Sequence, residues 1–254
     1  MDISNDLFAS LQEETGAIAN ERSDKSVSGI LRWAERQFCG QIAFASSLGL
    51  EDQVLIDVLA RYRIAIPVFT LDTGRLFRQS YDLLSKTEAR YGIRIKVLFP
   101  DARDVESMVA VHGINLFRNS VEQRRTCCRI RKVKQLDREL SGLSAWVTGL
   151  RREQADTRNR LECMEWDEGH GMIKLNPLAD WSIVDIRRYL AEHDVPYNVL
   201  HDQGYPSIGC ACCTRAVGPD EDIRAGRWWW ELVELKEGGL HSCPLATGRR
   251  KQIT

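Results

Sequence analysis

Over the first 37 positions apolar residues recur at helical spacing: Leu7, Leu11 and Ile18, then Ile30, Leu31, Trp33 and Ala34, with polar residues between. The pattern predicts two helices. At Gln41-Ile42-Ala43-Phe44-Ala45-Ser46 the period gives way to a short apolar run, which reads as a buried strand. Ser47-Leu48-Gly49 breaks it, and helical periodicity resumes over 51–61. A second strand, 66–71, runs into Asp72-Thr73-Gly74 and is followed by a long helix over 76–91 and a third strand over 93–98. Helices over 102–112 and 120–140 precede a fourth strand, 145–148, closed by Gly149.

Strands that alternate with helices, and are apolar on both faces, predict an α/β fold: a mainly parallel sheet flanked by helices. Such sheets bind ligands beyond the carboxyl ends of their strands. Loops 46–51, 71–75 and 149–152 fall there. From Trp181 the texture changes. Residues 183–190 read as a helix capped by Ser182, 194–209 as loop, and 224–235, with three consecutive tryptophans, as a helix packed on the body. The organisation expected is therefore N-terminal helices over 1–37, a nucleotide-binding α/β domain over 38–235, and a C-terminal tail over 236–254 that ends in Arg249-Arg250-Lys251.

Composition narrows the chemistry. The chain of 254 residues is 43% hydrophobic and 28% charged, ordinary for a globular protein. A net charge of -1 argues against bulk nucleic-acid binding while leaving room for a local anion pocket. The N-terminus lacks a basic-then-apolar leader, and no apolar run approaches the ~20 residues of a membrane span, so a cytoplasmic protein is expected. In a reducing compartment eight cysteines point to metal binding or thiol chemistry before disulfides.

Cys127-Cys128 lies in a helical stretch and Cys210-Ala211-Cys212-Cys213 in a loop. A C-x-x-C loop wraps two thiolates onto one edge of an iron–sulfur cluster, and an adjacent pair supplies two more, although neighbouring helical side chains diverge by about 100°. Tetrahedral zinc also takes four thiolates, but its structural sites pair two spaced loops; inert buried thiols are the third reading. Cys212 offers alternative pairings, with Cys210 and Cys213 favoured for their spacing. Cys39 and Cys163 read as filler.

With these cysteines in view, the chain resembles the assimilatory sulfonucleotide reductases. The resemblance is carried by Ser46-Ser47-Leu48-Gly49-Leu50-Glu51-Asp52, Leu71-Asp72-Thr73-Gly74-Arg75, Cys127-Cys128-Arg129-Ile130-Arg131-Lys132, Thr148-Gly149-Leu150-Arg151-Arg152, Gly209-Cys210 with Cys213-Thr214-Arg215, and Gly226-Arg227-Trp228. It implies an adenine nucleotide α-hydrolase-like fold and reduction of adenosine 5′-phosphosulfate (APS), or its 3′-phosphorylated form, to sulfite in sulfate assimilation and cysteine biosynthesis. It also implies a thioredoxin-like dithiol donor. The paired cysteines match the APS-reducing branch, whose [4Fe–4S] cluster would be held by Cys127, Cys128, Cys210 and Cys213. Members are often homo-oligomers.

An anionic nucleotide calls for backbone N–H donors at a strand-to-helix turn and for forked guanidiniums. Ser46, Ser47 and Gly49 are candidates for the first, and Arg151 and Arg152 for the second. Asp72, with Arg75 beside it, is placed to shape the nucleotide pocket. Lys132 is placed to link the cysteines to the sulfate, and Arg215 and Arg227 to close over it. The turn at 46–52 departs from the Ser-Gly-Gly-x-Asp-Ser loop of ATP-using enzymes, which argues against ATP hydrolysis.

One departure is decisive for mechanism. The family nucleophile is the cysteine of a C-terminal Glu-Cys-Gly-Leu-His motif. This chain reads Glu237-Gly238-Gly239-Leu240-His241, and glycine cannot attack sulfur. Three readings stand: a substituted, inactive form; attack by Cys243, five residues on; or a natural paralogue that binds the nucleotide without reducing it.

Overall fold

The computed structural model describes residues 5–18, 23–155 and 158–231. Two helices lead, α1 (Asn5–Ile18) and α2 (Asp24–Phe38). The Ser23 hydroxyl caps α2 by accepting the Ser26 N–H, and Val27, Ile30, Leu31 and Ala34 form its buried stripe. Then come β1 (Ile42–Ser46), α3 (Leu50–Arg61), β2 (Val68–Leu71), α4 (Arg78–Tyr91), β3 (Lys96–Leu98), α5 (Ala102–His112), α6 (Val121–Cys128), α7 (Lys134–Leu140) and β4 (Ala145–Val147). Strands β5 (Met164–Asp167) and β6 (Met172–Leu175) precede α8 (Ile183–Glu192), which Ser182 caps as expected.

The six strands order as β3-β2-β1-β4-β6-β5. All neighbours are parallel except β5 and β6, a hairpin. This is the mainly parallel α/β sheet read from the sequence. Alternate residues leave by opposite faces. Phe44, Val147 and Ile173 join one apolar cluster with residues of α2, α3 and α8, while Ala43, Trp146 and Met172 join a second with Leu136 and Leu140 of α7. Among the described residues no helix is long and apolar enough to cross a membrane.

Four details depart from the sequence reading. The second strand starts at Val68, since Pro67 has no N–H for the ladder, although its carbonyl accepts the Phe44 N–H at 2.8 Å. The hairpin β5–β6 was not expected. Its Lys174 sits in an apolar strand yet is paired across the register with Glu165 at 2.7 Å, so the alternation that marks a strand is blurred. The helix expected over 120–140 is one rod in three parts, with a π-helical turn at Arg129–Val133 between α6 and α7. The buried Gln135 side chain donates to the Ile130 carbonyl within that turn at 2.6 Å.

The fourth departure is a correction at the tryptophan run. Residues 224–231 form turns, not the expected helix, and Arg227 bridges Thr214 in antiparallel fashion. Gly226 permits this: a Cβ there would fall 2.3 Å from the Arg215 carbonyl oxygen. The rest of the expected helix, and the tail with Glu237, Gly238, His241 and Cys243, lie outside the described residues.

Candidate functional site

The chain passes from β1 out to β2 and β3, then returns to lay β4 on the other side of β1. The order therefore reverses between β1 and β4, the switch point at which open α/β sheets form a ligand-binding crevice between the loops. Gly149 brings the loop after β4 against the start of α3. A Cβ at that position would fall 2.3 Å from Asp52 Oδ1 and 3.1 Å from Glu51 Cβ. Arg151 is drawn inward: its Nε donates to Glu51 Oε1 at 2.8 Å and its Nη1 to the Trp181 carbonyl at 3.2 Å. Arg152 pairs with Asp180 and donates to the Leu161 carbonyl at 2.5 Å. Both guanidiniums expected to fork onto an anion thus already hold protein partners.

The turn after β1 is organised by Asp52. Its Oδ2 accepts the Ser47 N–H and hydroxyl, both at 2.7 Å, and the Gly49 N–H at 3.2 Å. Ser46 Oγ accepts the Leu48 N–H at 3.1 Å, with Leu48 in the left-handed region at φ 61°. The backbone donors expected to face an anion are thus turned onto a carboxylate of the protein itself. Burial raises Asp52 to about 6, against the lowering effect of those hydrogen bonds and with a further push from Glu51.

The cysteines meet beside the carboxyl end of β2. Cys127 and Cys128 at the end of α6 and Cys210, Cys212 and Cys213 of the later loop line one cavity of about 20 Å³, together with Thr73, Arg75, Phe117, Arg124, Arg131 and Lys132. The four expected ligands are thus brought together, with Cys212 among them. The loop is fixed to the turn after β2: Thr73 Oγ1 lies 3.2 Å from Cys210 Sγ, and the Arg75 carbonyl accepts the Ala211 N–H at 2.8 Å. Arg75 Nη1 donates to Cys212 Sγ at 3.5 Å and Nη2 to the Ile114 carbonyl at 2.6 Å, with the guanidinium over the Phe117 ring. Asp72 itself caps the turn, accepting the Gly74 N–H at 2.7 Å and the Tyr81 hydroxyl at 3.1 Å.

Cations surround the thiols. Arg131 is buried, its Nη1 donates to the Thr73 carbonyl at 2.7 Å, and its Nε has no partner among the described residues. Lys132 lines the cavity and makes no ion pair among the described residues. Arg227 is pressed under Gly209, where a Cβ would fall 2.4 Å from its Nη2, and its buried Nε also lacks a partner among the described residues. Arg124 and Arg227 lie 4.2 and 4.9 Å from the Trp228 ring centroid, and Arg124 Nε holds Glu231 Oε1 at 2.6 Å in a buried pair. Arg215 does not join them; it is fixed at the surface by Glu221 at 2.6 Å.

As free thiols these groups differ. Burial raises Cys127 to about 11, helped by the neighbouring Cys128, and raises Cys128 against the opposing field of Lys132. Cys212 is drawn down to about 6 by a hydrogen bond from Cys213, 3.8 Å away, and, against burial, by Arg75; Cys213 is pushed up by the same contact. Burial pulls Arg227 below its usual value. Apart from the site, Cys39 is exposed, and burial raises Cys163 to about 12, which makes it inert. Among the described residues no group of three or more His, Cys, Asp or Glu side chains is placed to hold a single metal ion.

Thr73 belongs to the 72–74 turn expected to shape the pocket, and Arg131 to the 127–132 segment that carries the resemblance, although neither was singled out as a site residue. Arg124 escaped the sequence reading; its signal was a place one helical turn before Cys127.

Comparison with known proteins adds to this geometry. The phosphoadenosine phosphosulfate reductase domain matches residues 41–216. The chain is 52% identical over 200 residues to the adenosine 5′-phosphosulfate reductase of Allochromatium vinosum, covering 79% of this chain and 78% of that protein. It is 45% identical over 238 residues to the enzyme of that name from Sinorhizobium fredii, covering 94% of each. Among solved structures it resembles the phosphoadenylyl-sulfate reductase of Candida auris in a phosphate complex, with a TM-score of 0.70 and 28% identity over 83% of this chain and 97% of that one.

Proposed function

Because the chain belongs to the phosphoadenosine phosphosulfate reductase domain family, we propose that it reduces adenosine 5′-phosphosulfate to sulfite and AMP in the cytoplasm, with a dithiol donor of the thioredoxin class. The observation that carries this reading is the convergence of five thiols and the cations Arg75, Arg131 and Lys132 on one cavity beside the end of β2. The names of the relatives favour APS over its 3′-phosphorylated form.

The donor set suits a [4Fe–4S] cluster on Cys127, Cys128, Cys210 and Cys213. A zinc ion needs its thiolates at about 2.3 Å from one centre, whereas a cluster spreads its thiolates over separate irons. The adjacent pair Cys127-Cys128, facing the C-x-x-C pair Cys210 and Cys213 across one cavity, suits the second. The unpartnered Nε atoms of Arg131 and Arg227 supply N–H donors toward a negatively charged group. When bound, the cluster supplies a charged centre beside the anion pocket. In this reading the crevice between β1 and β4 takes the nucleotide and Lys132 meets its sulfate. Ser46, Ser47, Gly49, Asp72, Arg75 and Arg227 shape the surrounding walls. For Arg151, Arg152 and Arg215 to touch the nucleotide they must exchange their present partners.

Gly238, at the position of the family nucleophile, favours a second reading, a protein that binds the nucleotide without reducing it. Anaerobically purified protein, assayed with APS and a reduced dithiol protein, separates the two. Release of both AMP and sulfite supports reduction. Nucleotide binding without either product supports the binding role, and absence of iron and acid-labile sulfide defeats the cluster assignment.

A further inference from the structure

Next to the thiol cavity the chain carries an apolar surface that the site does not use. Ile114, just beyond the end of α5, is 60% exposed, and Trp229 is 37% exposed. Arg118 gathers the aromatic part. Its guanidinium lies 5.8 Å from the Trp229 ring centroid, 5.6 Å from that of Trp230 and 6.0 Å from that of Phe117. Trp229 and Trp230 meet edge to face at 4.7 Å, and Trp230 lies 5.8 Å from Phe117. Phe117 also lines the cavity, and the Ile114 carbonyl holds Arg75, another wall residue, at 2.6 Å. The patch is thus built onto a wall of the site. Exposed apolar side chains beside Trp and Arg have the composition of a protein interface.

The charge around the patch selects its occupant. From Ile114 to Lys132 there are six cations and one carboxylate, in a chain whose net charge is -1. Arg118, Arg125 and Arg129 are exposed and make no ion pair among the described residues. Residues 232–254 carry four cations against two carboxylates, so they do not complement this surface. A second copy of the same face would set arginine against arginine. Resting on the function proposed above, we propose that the surface formed by Ile114, Arg118 and Trp229 is the docking face for the dithiol donor, a protein whose dithiol is set in apolar surface with carboxylates at the rim. Ile114 and Trp229 take the apolar part, and Arg118 with Arg125 meets the carboxylates. A protein reductant has to seat against a wall of the site, and this face shares Phe117 with the cavity.

The test is calorimetric binding of a reduced thioredoxin-class protein to anaerobically purified full-length protein at low and high salt, beside Ile114→Asp and Arg118→Glu, with thermal unfolding of each variant in parallel. The expected result is binding that weakens as salt rises, and that each substitution weakens roughly tenfold or more with the unfolding midpoint kept. A wild type that binds no donor, or either intact variant that binds it as tightly as the wild type, would overturn the proposal. Where one variant loses stability the other decides, and a lowered midpoint in both would make these side chains structural and overturn it. Two further results would show the chain itself on the patch and overturn it as well: an oligomer that dissociates in I114D on sedimentation, or faster proteolysis within 232–254 in I114D without donor. Release of AMP and sulfite from APS by the wild type with a small dithiol reads the proposed function separately. Products without donor binding leave reduction standing and strike the docking face; donor binding at this face with neither product strikes reduction and leaves the docking face.

Discussion

Replacing Asp52 by Asn should stabilise the protein at pH 7 and fail to do so near pH 4. Asp52 is buried, and its carboxyl is raised from 3.8 to about 6. The unfolded chain loses this proton near the ordinary value, while the folded chain keeps it to about 6. Across that window the folded state binds more protons, so stability falls as pH rises and levels off above the folded value. A shift of roughly two units corresponds to about 3 kcal/mol. Asn removes the charge and keeps an oxygen for the N–H groups of Ser47 and Gly49, though a neutral acceptor weakens those bonds by about 1 kcal/mol. The expected balance is a gain of about 2 kcal/mol at pH 7 and a small loss near pH 4. Urea unfolding followed by tryptophan fluorescence, wild type and D52N in parallel from about pH 4 to 8, reads the difference. A gap between the two proteins that stays constant with pH would refute the buried-charge argument.

Lys132→Ala should weaken APS binding by more than it weakens AMP binding, measured by calorimetry; equal losses would show that Lys132 does not meet the sulfate. Gly209→Ala pushes a methyl into the Arg227 guanidinium, 2.4 Å from Nη2, and should lower the iron retained per chain after purification, read by colorimetric assay. Glu231→Ala removes the carboxylate from the buried Arg124 pair and should cost about 3 kcal/mol by urea titration, with Gln restoring part of it. Gly149→Ala, forced against Asp52, should destabilise by about 1–3 kcal/mol and reduce AMP affinity; an unchanged affinity would place the nucleotide elsewhere.

Much of the architecture was legible because β1 through β4 are short apolar runs with helical periods between them, the pattern a doubly covered parallel sheet requires. The hairpin β5–β6 was hidden because cross-strand pairing of Lys174 with Glu165 lets charge occupy a buried strand. The tryptophan run misled for the opposite reason: its apolar character reflects packing around Arg124 and Arg227, not one face of a helix. At the site, the cysteines could be found by residue type and spacing alone. The engagement of Arg151 with Glu51, and of the Ser47 and Gly49 N–H groups with Asp52, depends on side-chain direction across 100 residues or within a single turn, which spacing does not encode.

The π-helical turn at Arg129–Val133 also has a bearing on how this chain can change over generations. The rod before it aims a pair of sulfurs, and the rod after it lays Leu136 and Leu140 on the sheet. The wide turn sets the rotational offset between those two jobs. Excision of a single codon just after that stretch, between Val133 and Leu136, would remove one ordinary helical step and turn one rod by about 100° against the other. The leucines would hold their ground, and the sulfurs would swing away from Cys210. Outside the wide turn itself, which absorbs one residue, point substitutions are therefore the tolerated form of variation here, and changes of length are not.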